Sequence, residues 1–159
     1  MIQWWRRRRA SHLAKKASNS AAHGNYPRAI QEATAALLLD PNPETYHLRG
    51  QIHRLADLLE KAHLDYSEAI NLTADDATLF LERGQIKADL GQHDGALIDF
   101  EQAIRLAPSD ATAYFSRAQS HIAQDNVDGA LDDLDKAIKT NPNAAMVRMR
   151  GELRMVKGN

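Results

Sequence analysis

The stretch "ALIDFEQAIRLAPSD", residues 96–110, places Ala96, Leu97, Phe100, Ala103, Ile104 and Leu106 at helical spacing and ends at Pro108. Two alanines seven residues apart beside one aromatic make an odd helix face until the chain is compared with itself. A shift of 34 residues gives "AHLDYSEAINLTADD" on one side and "ALDDLDKAIKTNPNA" on the other. Ala62, Ala96 and Ala130 then align, as do Ala69, Ala103 and Ala137. Tyr66, Phe100 and Leu134 share a slot, as do Ile70, Ile104 and Ile138, and Ala74, Pro108 and Pro142. Upstream, Tyr46, Phe80 and Tyr114 keep the spacing, followed by Gly50, Gly84 and Ala118.

A weaker copy precedes these three. "GNYPRAIQEATAALLLDP" carries Ala29, Ala33, Ala36 and Pro41, after a polar first helix through "SHLAKKASNSAAH". Beyond Pro142, "AAMVRMRGELRMVKG" repeats the first-helix pattern around Gly151 and reads as a cap. The periodicity predicts nine helices near 10–22, 27–39, 44–56, 60–72, 77–90, 94–106, 111–124, 128–140 and 144–157. They group into units of about 10–42, 43–76, 77–110 and 111–143, a cap at 144–157 and a basic N-terminal arm at 1–9.

A 34-residue period with two helical patterns, a small residue inside the first and a proline closing the second, resembles the tetratricopeptide repeat. "FLERG" supplies Phe80 and Gly84, and "ALIDF" supplies Ala96 and Phe100. The chain departs from the family pattern with Arg83 where Leu is usual, and with His53, Lys87 and His121 where Tyr is usual. The resemblance implies an all-α fold, a right-handed α-α superhelix of stacked helix-turn-helix repeats with a C-terminal capping helix. Small residues let paired helices cross closely, and the aromatic and Ile residues fill the space between neighbours.

Composition bounds the alternatives. The 159 residues are 43% hydrophobic and 26% charged, a soluble globular balance. Cysteine is absent, which excludes disulfides, thiolate-held zinc and thiol catalysis and permits a reducing cytoplasm, the compartment expected here. No apolar run approaches the roughly 18 residues of a membrane helix. The net charge of −1 hides an asymmetry: residues 1–28 carry seven basic side chains and no acid, whereas residues 29–143 hold 9 basic and 20 acidic groups. Basic ends meeting an acidic body make self-association, as a homo-oligomer or assembly scaffold, one further expectation.

Charged residues also follow the period. Arg49, Arg83, Arg117 and Arg150 precede the small residue of each first helix, and Glu32, Asp65, Asp99 and Asp133 share a slot on the second helices. Their separations predict a structural ladder between successive units: Glu32–Arg49, Asp65–Arg83, Asp99–Arg117 and Asp133–Arg150.

Nothing in the chain argues for an enzyme or a cofactor. The seven histidines form no H-E-x-x-H pair, and His47 and His53, six apart, face different sides of a helix. "QDNVDGALDDLD" (124–135) has the glycine of a calcium loop but a poor first ligand, and Asp135 stands where the last bidentate Glu belongs, so no metal is expected. No Gly-rich phosphate loop and no nucleophile elbow is present.

Function therefore falls to surfaces. The resemblance implies protein–protein interaction, with first helices lining a groove that takes a partner's peptide or helix. By slot, that groove shows Glu44, His47, Gln51 and Arg54 from one unit, Thr78, Leu81, Gln85 and Asp89 from the next, and Thr112, Phe115, Gln119 and Ile122 from the third. Gln51, Gln85 and Gln119 form a row of amides able to donate to and accept from an extended peptide backbone. Leu81, Phe115 and Ile122 are its apolar anchors. The chaperone-tail-binding members of the family use Lys, Asn and Arg in slots that here hold His47, Gln51, Glu82, Thr112 and Ser116, which disfavours a carboxylate-terminated chaperone peptide.

The second reading rests on "MIQWWRRRRASHLAKK". Trp4 and Trp5 beside Arg6, Arg7, Arg8 and Arg9 suit an anionic membrane surface, or less well the phosphates and bases of a nucleic acid. The segment has the composition of an organellar transit peptide and lacks the apolar stretch of a secretory signal.

Overall fold

The computed structural model describes residues 2–158, and among these the regular structure is nine α-helices. They are α1 (Ile2–Ala22), α2 (Tyr26–Leu39), α3 (Pro43–Leu55), α4 (Leu59–Leu72), α5 (Ala77–Asp89), α6 (His93–Leu106), α7 (Ala111–Ala123), α8 (Val127–Thr140) and α9 (Ala144–Gly158). The fold is the all-α repeat architecture expected from the period. One boundary differs by more than a residue or two: α1 begins at Ile2, so the basic stretch 2–9 is no separate arm but the first two turns of the helix. No Gly or Pro interrupts residues 2–22, and Ala10 and Ala17 bury against the neighbouring helix. Two of the arginines also tie α1 to the end of α2. Arg6 Nη2 donates to the Leu38 carbonyl at 3.4 Å, and Arg7 lies 3.9 Å from the Asp40 carboxylate.

Two compact units divide the chain, α1–α4 and α5–α9. In the first, α1 packs on α2 and α3 on α4, with α2 also against α3. Ala17, Ala29, Ala33 and Ile52 form one core of this unit, flanked by Tyr26, Ile30 and Leu48. In the second, α5 packs on α6, α7 on α8, α6 on α7 and α9 on α8. Ala111, Ala118, Ala130, Leu134, Ala137 and Met146 form a core there.

The alanines seven apart now have their reason. Ala62, Ala69, Ala96, Ala103, Ala130 and Ala137 are all at most 1% exposed, and Tyr66, Phe100 and Leu134 between them are fully buried. A small residue on the facing helix receives each large one. An ideal Cβ on Gly50 would stand 3.3 Å from the Tyr66 ring, and one on Gly84 only 2.6 Å from Phe100 Cε1. In the third copy the facing residue is Ala118 and the large residue shrinks to Leu134, so the pair keeps its combined volume.

Each hairpin turn ends its first helix in the same way. Gly24, Asp57, Gly91 and Asp125 adopt left-handed φ between 57° and 73°. The amides of Asn25, Leu58, Gln92 and Asn126 then donate to the carbonyls of Ser20, His53, Lys87 and His121 at 2.8–2.9 Å, the pairing of a Schellman stop. Asp125 and Asn126 of the calcium-like stretch therefore serve the turn, and α8 begins at Val127. Asn42, Asp76 and Asp110 cap α3, α5 and α7, accepting from Thr45, Thr78 and Thr112 amides at 2.8–2.9 Å.

Candidate functional site

The repeated charges meet, but not as the spacing suggested. Arg49 Nη2 donates to Asp65 Oδ1 at 2.6 Å, Arg83 Nη2 to Asp99 Oδ1 at 2.7 Å and Arg117 Nε to Asp133 Oδ2 at 2.7 Å. Each arginine thus pairs inside its own hairpin, 16 residues on, rather than with the preceding unit's acid. The expected pairs Glu32–Arg49 and Asp133–Arg150 are replaced too. Glu32 accepts from Ser20 at 2.7 Å and Arg28 at 3.0 Å, and Arg150 donates to Asp135 at 2.6 Å. The cause is the helix crossing. Gly84 lies so close to α6 that its missing Cβ would be 3.2 Å from Asp99 Cβ, and the residue before it reaches that carboxylate first.

A third group completes each pair. His53 Nδ1 lies 2.8 Å from Asp65 Oδ2, Lys87 Nζ 2.9 Å from Asp99 Oδ2, and His121 Nε2 3.8 Å from Asp133 Oδ2. These are the residues that stand in the family's Tyr slot. Together with the Arg and Asp of the same hairpin they build one buried cation–carboxylate–cation or cation–carboxylate–imidazole set in each of α3/α4, α5/α6 and α7/α8. The three carboxylate side chains are 3–4% exposed. Each guanidinium also stacks on the aromatic three residues earlier, 5.6–6.0 Å from the ring centroids of Tyr46, Phe80 and Tyr114.

Burial pushes the Asp65 carboxyl up, but hydrogen bonds from His53 and Arg49 outweigh it and hold the group below its ordinary value. The hydrogen bond to Asp133 raises Arg117 against its burial. Burial, with Arg117 adding to it, lowers His121 despite Asp133 nearby. Both depressed groups have one sign. Their stabilisation is present above the unfolded-state pKa and is lost as pH falls through the folded value. The melting temperature is therefore expected to decline in two stages on acidification, first below the usual imidazole range and again through the carboxylate range. His121→Gln should flatten the first stage and leave the second. A pH series of thermal melts on both proteins checks this, and a first stage unchanged in the variant would count against it.

With these charges engaged internally, the expected groove residues divide by unit. On α3 of the first unit, Glu44 and Arg54 are exposed and His47 and Gln51 half-buried, the last two within 3.1 Å of each other. In the second unit α5 packs against α7, and Gln85 Nε2 donates to Ser116 Oγ at 3.3 Å across them. Thr78, Asp89, Thr112 and Gln119 are exposed along these two helices, and Leu81 and Gln85 are half-buried. Phe115 and Ile122 are half-buried as well, but they pack against the Ala111–Leu134–Met146 core. Their side chains belong largely to packing, which the helical spacing alone did not reveal. The Gln85–Ser116 contact spans 31 residues and has no periodic signature.

The basic residues at the front of α1 also divide. Arg6 and Arg7 face the end of α2, whereas Arg8 and Arg9 stack on Trp4 and Trp5, 5.2 and 5.1 Å from the ring centroids. Trp4 is 63% exposed and Trp5 51%.

Residues 81–145 match the family model of the tetratricopeptide repeat. No curated protein matches the chain in sequence. Among solved structures, a MamA from Desulfovibrio magneticus shares 16% identity and superposes with a TM-score of 0.88 over 94% of this chain and 86% of its own. YrrB, described as a repeat protein with an unusual peptide-binding site, gives 0.82 at 21% identity over 90% of this chain and 74% of its own. The first repeat domain of Spaghetti (RPAP3), solved with the HSP90 peptide SRMEEVD, gives 0.72 at 16% identity over 74% and 94%. At these identities the likeness is one of fold.

Proposed function

We propose that this chain, which carries tetratricopeptide repeats, is a cytoplasmic, non-enzymatic adaptor that holds an extended segment of a partner protein. The observation that carries the reading is the α5/α7 face. Two first helices lie side by side, joined through Gln85 and Ser116, and present Gln119 with Thr78, Thr112 and Asp89 around half-buried Leu81. Side-chain amides donate and accept in the pattern a peptide backbone needs, and an apolar residue among them supplies an anchor. YrrB, with its unusual peptide-binding site, and the RPAP3 repeat domain, solved with a bound peptide, support the same reading. His47, Gln51 and Arg54 on α3 form a second polar face in the other unit.

Capture of partners by wild type and by a Gln85→Ala/Gln119→Ala double variant tests it. Gln119 is exposed, whereas Gln85 also bonds buried Ser116 across α5 and α7, so the double variant should lose about 1 kcal/mol of stability and remain folded. Affinity is expected to fall roughly tenfold or more, as two hydrogen bonds of about 1 kcal/mol each are lost. Undiminished capture would remove this face from the function. Phe115→Ala is a poor probe, because it opens the core. The peptide SRMEEVD is expected not to bind, since Glu82, Thr112 and Ser116 stand where a terminal carboxylate needs cations.

A further inference from the structure

The outward face of α1 is not used by the packing of its unit. Ala10 and Ala17 turn inward to the core, and Trp4, Arg8 and His12 lie four apart along the opposite side, beside Trp5, Arg9 and Lys16. All six are exposed. From these observations we infer that this face is a docking surface for an anionic lipid membrane, on which α1 lies flat.

Charge points to the class of partner. The first carboxylate in the chain is Glu32, engaged by Ser20 and Arg28, and Asp40 faces Arg7. Among the described residues Arg8 and Arg9 have no carboxylate within 4.0 Å and stack only on the tryptophans. α1 holds no acid, and Arg6 to Arg9 follow one another in its second turn, so four like charges repel one another with no carboxylate on the helix itself. A negative surface relieves that repulsion. Amphipathic Trp rings settle at headgroup level while adjacent guanidinium groups bind lipid phosphates.

Two features favour a membrane over a nucleic acid. A guanidinium group already occupies one face of each indole ring, so stacking of a base is restricted to the other. The exposed apolar Ile2, 79% accessible, extends the same end of the helix and suits an acyl boundary rather than a phosphate backbone. No helix among the described residues is long and apolar enough to cross a membrane, which fits a helix that lies in the interface plane.

Trp4 and Trp5 are the chain's two tryptophans, so intrinsic fluorescence of the full chain reads this face without a label. Vesicles of phosphatidylserine with phosphatidylcholine are expected to shift the emission to the blue, and pure phosphatidylcholine to leave it in place. Binding should weaken steeply with salt. Arg8→Gln/Arg9→Gln should weaken it roughly tenfold or more, with an unchanged circular dichroism spectrum. Trp4→Ala/Trp5→Ala, followed by co-sedimentation, should lose binding as well. An equal shift on neutral vesicles, or none on anionic ones at low salt, would overturn the inference. So would a single-stranded oligonucleotide that quenches both tryptophans while the vesicles do nothing, which would move the face to nucleic acid.

Discussion

Asp99→Ala is expected to cost about 3–5 kcal/mol, the loss seen when one partner of a buried ion pair is removed. The Asp99 side chain is 3% exposed and accepts from Arg83 Nη2 at 2.7 Å, Arg83 Nε at 2.9 Å and Lys87 Nζ at 2.9 Å. Without it, two cations whose side chains are 16–17% exposed keep their desolvation and lose their counter-charge. Asp135→Ala is the control. That carboxylate is 46% exposed and pairs with Arg150 and Arg154 near the surface, so its removal should cost no more than about 1 kcal/mol. Urea unfolding of the two variants separates the cases. A loss at Asp99 as small as at Asp135 would mean that water reaches the set and screens it. Replacing Arg83, Lys87 and Asp99 together by apolar residues of similar volume is expected to recover most of the loss, because no uncompensated charge remains.

The second large effect concerns Gly84→Ala, for which a net destabilisation of about 1–3 kcal/mol is expected from overpacking. The added methyl would stand 2.6 Å from Phe100 Cε1 and 2.8 Å from Cδ1, against the roughly 3.5–4.0 Å of an ordinary carbon contact. Phe100 is 1% exposed, so its ring cannot move toward solvent without giving up its burial. Alanine's better helix propensity, worth about 1 kcal/mol, offsets only part of this. At Gly50 the corresponding approach is 3.3 Å to the Tyr66 ring, so propensity and crowding should nearly cancel there. The third hairpin supplies the rescue, since it pairs Ala118 with Leu134. Phe100→Leu should therefore cost less in the Gly84→Ala background than in wild type. A four-protein cycle of urea midpoints measures that coupling, and strictly additive losses would show that the two residues do not share the space.

Much of this molecule is legible in its sequence. The 34-residue recurrence of Ala96, Phe100 and Ala103, with Gly84 and Pro108 at matching offsets, placed the helices and paired them, because a repeat states the same packing problem several times. The helix ends other than the start of α1 came with it, since caps such as Asp76 and Asp110 and turn glycines such as Gly91 act through the local backbone. Periodicity also marked Arg83 and Asp99 as members of one ladder. It could not say which rung joined which, because separations of 16 and 18 residues both fit a helical zigzag. The close crossing at Gly84 settles the choice in favour of the same hairpin.

The surface residues show the same division. Arg6, Arg7, Arg8 and Arg9 are alike in sequence, and only the position of α2 turns the first two toward Leu38 and Asp40 and leaves the others beside the tryptophans. Phe115 and Ile122 fall on the expected groove stripe by count, yet they lean onto the core around Leu134. The sequence by itself determined the elements, their repetition and the residue types in each slot, all of which follow from interactions within a few helical turns. The tertiary structure alone decided which charges pair, which arginines face outward and which apolar residues remain on the surface. Those outcomes depend on distances between helices, and a one-dimensional period carries no information about distance.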